Sequence, residues 1–140
     1  MIYYFAYGSN LHHEQMEKRC PKFRYVRKFT LNNFELVFRN QGGWADIQRK
    51  IGQKVYGALY IISKLAESRL DKYEDFPIIY KKIYFKYKGK KVMTYTMVKK
   101  TKFVFPTTRY LNIIKQGYKD CKINIKSLNV VLQPTKHPQR

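Results

Sequence analysis

The chain has 140 residues, enough for one domain whose core needs neither disulfides nor a structural metal. Its 44% hydrophobic and 16% aromatic content, with 13 Tyr, argues against disorder despite the charge. A balance of 29 basic to 9 acidic residues, formally +20, predicts attraction to polyanions and acidic small molecules, and no apolar run reaches transmembrane length.

In chain order, a first strand runs to about Tyr7 and stops at Gly8-Ser9-Asn10. A helix over 11–19 follows, and Cys20-Pro21 ends it because a residue before proline avoids helical geometry. Segments 26–31 and 34–39 read as a strand pair around Asn32-Asn33, a residue type that tolerates positive φ. Gln41-Gly42-Gly43 is a loop before a short strand over 45–49, and the apolar run 55–62 reads as a central strand. Ser63 is an N-cap for a helix over 64–73, whose apolar stripe is Ala66, Leu70 and Tyr73. Pro77 closes that segment.

Lysines then crowd residues 81–102, interleaved with Tyr84, Phe85, Tyr87, Val92 and Tyr95. The pattern predicts two strands around Lys88-Gly89-Lys90, one face apolar and one charged. Such lysines read first as solvated surface, which also guards an edge strand against aggregation. Pro106-Thr107-Thr108 opens a last helix with Tyr110, Ile114 and Tyr118 on one face and Leu111 beside them. Strands outnumber helices without regular crossovers, which predicts an α+β domain over 1–132, a curled sheet or small mixed β-barrel with flanking helices. Residues 133–140 read as a loose tail.

Two places carry chemistry. The turn Tyr7-Gly8-Ser9-Asn10-Leu11 presents backbone N–H groups to one side, where a carboxylate or oxyanion can be held, and Gly8 lets a ligand approach the backbone. The stretch Leu70-Asp71-Lys72-Tyr73-Glu74-Asp75 offers three carboxylates at a helix end. Glu74 lies beside Leu70 at the flank of the apolar stripe, where burial would raise its pKa toward acid–base use; Asp71 and Asp75 are alternatives that composition does not separate. Ser9 lacks an orienting His–acid pair, so a serine-hydrolase triad is poorly supported. His12-His13 diverge on a helix, and Cys20 and Cys121 lack metal-ligand spacing, so no metal is expected and a reduced, cytoplasmic setting is the default. The start lacks the n- and h-regions of a secretion signal.

Tyr7-Gly8-Ser9-Asn10-Leu11 after an aromatic strand resembles the signature of the γ-glutamylcyclotransferase-like superfamily. In the same order, Gly42-Gly43-Trp44-Ala45-Asp46-Ile47, Val55-Tyr56-Gly57-Ala58-Leu59-Tyr60, Leu70-Asp71-Lys72-Tyr73-Glu74 and the segment 106–117 resemble its other blocks. The resemblance implies a small mixed α/β barrel and cyclisation of a γ-glutamyl amide to 5-oxoproline. The substrate's own α-amine is the nucleophile, so no cofactor or metal is needed. It implies Glu74 as the general acid/base and Tyr7, Gly8, Ser9, Asn10 and Leu11 as the glutamyl-binding turn. Gly43 and Ala45 would line the pocket, and Tyr80, Tyr95 and Tyr110 would shape it. Asp75 stands where the family commonly has glycine, which puts the turn and the leaving-group side in question. Two other readings compete: a non-enzymatic basic domain binding nucleic acid or an acidic partner, and a catalytically silent ligand-binding member of the same fold.

Overall fold

The computed structural model describes residues 1–133. Apart from Gln133, the tail expected over 133–140 lies outside the described residues. Five strands, β1 Ile2–Ala6, β2 Arg24–Arg39, β3 Trp44–Ile62, β4 Tyr80–Tyr87 and β5 Lys90–Met97, form one sheet in the order β2-β3-β1-β5-β4. Only β1 and β5 run parallel; the other neighbours are antiparallel. A 3-10 turn, Ser9–Leu11, and four helices, α1 His13–Arg19, α2 Lys64–Tyr73, α3 Thr108–Asp120 and α4 Lys126–Val131, complete the fold.

β1 sits mid-sheet between β3 and β5, so Tyr4, Phe5 and Ala6 are buried, Phe5 fully. Fully buried Tyr60, Tyr118, Phe5 and Phe38 are among the largest side chains of the core. Each contributes on the order of 1.5–3 kcal/mol by leaving water. Helix starts follow the capping chemistry expected: Ser63 Oγ accepts from Ala66 N–H at 3.0 Å and Thr107 Oγ1 from Tyr110 N–H at 3.3 Å. α3 lies directly on the 3-10 turn because residue 117 is glycine; a Cβ there would stand 2.6 Å from Leu11 Cβ.

Three expectations change. Asn33 does adopt positive φ (64°), but the chain does not turn back there. β2 runs through, Asn33 forms an irregularity between Asn32 and Phe34, and its Oδ1 accepts from Gly52 N–H at 3.1 Å across the ladder. The two strands expected over 45–49 and 55–62 are likewise one strand, β3. The α+β class holds, but the sheet is not a closed barrel, because its edges β2 and β4 share no ladder. They meet through rings instead: Phe29 stacks on Phe85 with centroids 5.7 Å apart and meets Tyr87 edge-on at 5.4 Å. Exposed cations on both sides, Arg27 and Lys28 against Lys86 and Lys88, oppose closer approach of the edges.

Candidate active site

The β1 end, the start of β3, the end of α2 and the α3 face surround a cavity of about 350 Å³, a volume typical of small-ligand sites. From β1 and the turn come Tyr4, Tyr7, Gly8, Ser9 and Asn10; from β3, Trp44 and Ala45; from the α2 end, Tyr73, Glu74, Asp75 and Ile79; beyond them, Tyr80, Tyr95 and Tyr110. Most residues expected at the site therefore meet. Leu11 and Gly43 do not border the cavity. Leu11 is a fully buried core residue under α3, and Gly43 is buried in a turn whose N–H donates to the Asn40 carbonyl at 3.1 Å. Tyr4, Trp44, Tyr73, Asp75 and Ile79 border it although sequence patterning did not single them out as binding residues.

The turn has the openness that its sequence suggests. The N–H groups of Gly8, Ser9 and Asn10 have no acceptor among the described residues. A Cβ at Gly8 would meet Ala45 Cβ at 3.0 Å and the Tyr110 hydroxyl at 3.4 Å, so a side chain there intrudes on the cavity wall. Arg19 braces the turn from behind. Its guanidinium donates to Asn10 Oδ1, to Ser9 Oγ at 3.3 Å and to Gln15 Oε1 at 2.6 Å, and lies 3.4 Å over the Tyr73 ring. Neither histidine orients Ser9. His12 Nδ1 accepts from Gln15 N–H at 3.2 Å, capping α1, and His13 Nε2 lies 3.0 Å from the Tyr60 hydroxyl.

The three carboxylates at the α2 end now separate. Asp71 is engaged: it accepts from Tyr95 Oη at 2.6 Å and pairs with Lys82 at 3.0 Å. Asp75 is exposed, and its φ of 56° places it in the left-handed region that favours glycine; aspartate tolerates this conformation better than most residues, and the turn is kept. Glu74 is half-buried, lines the cavity, and makes no side-chain hydrogen bond or ion pair among the described residues. Burial raises its pKa from an ordinary 4.5 to about 7, and only partly opposed by Arg19. The push comes from desolvation, the cause that its place beside Leu70 suggested.

The phenols serve as struts. Tyr80 Oη donates to the Ala45 carbonyl at 2.7 Å, Ala45 N–H donates to Tyr110 Oη at 3.0 Å, and Tyr7 Oη donates to the Tyr95 carbonyl at 2.7 Å. Asn10 Nδ2 donates to Tyr4 Oη at 2.8 Å.

A stability test of the Glu74 environment is independent of any activity. A carboxyl whose pKa rises on folding holds its proton more tightly in the folded chain. Its contribution is complete below the unfolded value near 4.5 and is lost as pH rises through about 7. Glu74→Gln is therefore expected to gain stability relative to the parent between about pH 5 and about pH 8, by roughly 1–3 kcal/mol, and thermal melts across that range read the difference.

Fold and cavity together define a small α+β protein in which the half-buried, unpaired Glu74 and a row of backbone amides without acceptors among the described residues border the same hollow. The chain belongs to the family described as gamma-glutamyl cyclotransferase, AIG2-like, which it matches over residues 4–117. It is 36% identical over 80 residues to the gamma-glutamylcyclotransferase of Bos taurus and 35% identical over 80 residues to that of Mus musculus, covering 51% of this chain and 43% of each relative. The aligned part thus spans less than half the length of those relatives. Among solved structures, an uncharacterized Homo sapiens protein superposes with a TM-score of 0.79 at 26% identity, covering 99% of this chain and 92% of that one. A gamma-glutamyl cyclotransferase superposes with a TM-score of 0.76 at 23% identity, with the same coverages of 99% and 92%, and shows the shared fold.

Proposed function

We propose that this chain is a γ-glutamyl cyclotransferase that closes a γ-glutamyl amide on itself, with Glu74 carrying the protons. The observation that supports it is the unpaired Glu74 carboxylate, raised to about 7, bordering the same cavity as the free amides of Gly8, Ser9 and Asn10. The amides hold the substrate's α-carboxylate, and the narrow hollow keeps the glutamyl chain folded so that its α-nitrogen lies against its γ-carbonyl carbon. Because the ring closure is intramolecular in free solution too, the hollow contributes by holding the folded, attack-ready conformer that the unbound chain rarely samples.

Glu74 takes a proton from the α-ammonium, and the freed amine adds to the γ-carbonyl. The tetrahedral centre then collapses: the bond to the leaving nitrogen breaks, Glu74 returns the proton to that nitrogen, and the ring nitrogen gives up its second proton, so that the amine departs as an ammonium and Glu74 is again a carboxylate. The products are 5-oxoproline and an amine, and no water is consumed. A carboxylate at its ordinary pKa is a poor base for an ammonium; the rise to about 7 brings the two closer. Tyr7, Tyr80, Tyr95 and Tyr110 shape the wall, and Tyr80 and Tyr110 fix the backbone of Ala45. We assign the reaction to the cytoplasm, where the free thiols of Cys20 and Cys121 stay reduced.

The test is incubation with a panel of γ-glutamyl amides differing in the leaving amine, following 5-oxoproline. Release from at least one, at a rate above the spontaneous one, is expected. Saturable binding with no release from any would instead make the protein a silent ligand-binding member. Gly8→Ala is expected to lower kcat/KM by about 10–100-fold, since small displacements of a bound reactant are that costly, while the melting temperature changes little.

A further inference from the structure

The cavity is lined without a single lysine or arginine, so the chain's excess charge is not explained by that site. Residues 76–119 contain twelve Lys and Arg and no Asp or Glu. Five exposed cations gather where the sheet fails to close: Arg27 on β2, Lys86 on β4, Lys88 in the turn, and Lys90 and Lys91 on β5. The ion pairs of the described residues engage Arg39, Lys82 and Lys100, and none of these five.

Strand register makes the crowding more specific. Lys86 is directly opposite Lys91, and Lys90 is opposite Tyr87, on an edge hairpin. Like charges in directly opposed positions destabilise a ladder, and an acidic partner would ordinarily relieve them. From β2, Arg27 reaches the Tyr87 hydroxyl, which Lys88 also approaches; together they hold that phenol's pKa below its ordinary value. Rings alternate with the cations. Tyr84 is 51% exposed, two residues from Lys86 on the same face, with Lys91 Nζ 4.2 Å from its ring centroid.

We propose that the β4–β5 hairpin and the adjoining edge of β2 bind single-stranded nucleic acid, away from the cavity. Unpaired cations along two open edges follow a phosphate backbone, and an exposed tyrosine among them offers a base a stacking face. An anionic membrane fits less well. The turn itself, Lys88-Gly89, carries no apolar side chain to insert, and the exposed ring is mid-strand rather than at the tip.

Fluorescence anisotropy of a labelled oligothymidylate, with the full chain and a salt titration, tests this. Five phosphate contacts predict a slope of log Kobs against log[salt] of about −3.5. Joint replacement of Lys86, Lys88, Lys90 and Lys91 by Gln should flatten that slope by about 3 and weaken binding at low salt by at least about tenfold. Tyr84→Ser should weaken the single strand by at least about fivefold and a duplex less. A matched set on the helices, Lys64, Lys72, Lys115 and Lys119 to Gln, removes the same charge and should stay within about threefold of the parent. Circular dichroism and melting confirm that each variant is folded. An equal loss in the helix set, no oligonucleotide binding at low salt, or tighter binding to phosphatidylserine vesicles with the same lysine dependence would each overturn the proposal.

Discussion

Replacing Glu74 by glutamine is expected to lower 5-oxoproline release by about 10²–10⁴-fold, the range a positioned acid–base group supplies. The amide matches the carboxylate in shape and can still donate a hydrogen bond, but it cannot shuttle a proton between two nitrogens. Because Glu74 makes no ion pair, its loss strands no partner, and a fold defect is not the expected cause. Asp71→Asn is a different experiment, since Asp71 is paired with Lys82 and bonded by Tyr95; its effect should appear chiefly as lost stability. In the parent, kcat/KM should rise with pH along a limb near 7, as the base must be ionised to act. Turnover by Glu74→Gln at a near-parental rate, or a limb unmoved in that variant, would remove Glu74 from the mechanism.

The largest effect on stability is expected at Asp46. Its side chain is fully buried and pairs with Arg39 at 3.2 Å and Lys100 at 2.9 Å, while accepting from Thr96 Oγ1 at 3.0 Å and Met97 N–H at 2.8 Å. Asp46→Ala removes the carboxylate that faces an almost fully buried Arg39 guanidinium. Stripping one partner from such a pair costs about 3–5 kcal/mol, mostly through the charge left behind. Urea titration of the variant should show an unfolding free energy lower by that amount, read from the midpoint and slope. Asp46→Asn, which keeps two acceptor contacts, should recover part of it. Since Asp46 directly follows Ala45, activity should fall with it as the strand end loosens.

What could be read beforehand was what local chemistry determines. Ser63 caps α2, Lys88 and Gly89 both take positive φ at the hairpin turn, and α3 opens at Thr107, because each depends on a few neighbouring atoms. Asn33 shows the limit. Its positive φ was legible, but whether such a residue reverses the chain or merely kinks a long strand depends on its partner around Gly52. α4 escaped notice because it is a six-residue helix without a side-chain cap. At the candidate site, the sequence left three adjacent acids in play. What distinguishes them comes from elsewhere in the fold: Lys82 of β4 and Tyr95 of β5 occupy Asp71, and Asp75 is left exposed while Glu74 is half-buried. Tyr4 was hidden among thirteen tyrosines with no pattern to mark it, and Tyr73 was legible only as part of the α2 stripe.

The tyrosine struts have one more implication. Burial drives the phenols of Tyr4, Tyr7, Tyr80, Tyr95 and Tyr110 well above their usual range, so none ionises under conditions in which the protein would be assayed. These five struts therefore keep their protons while Glu74 exchanges its own, and the hydrogen bonds that hold the cavity wall are unchanged across the working range.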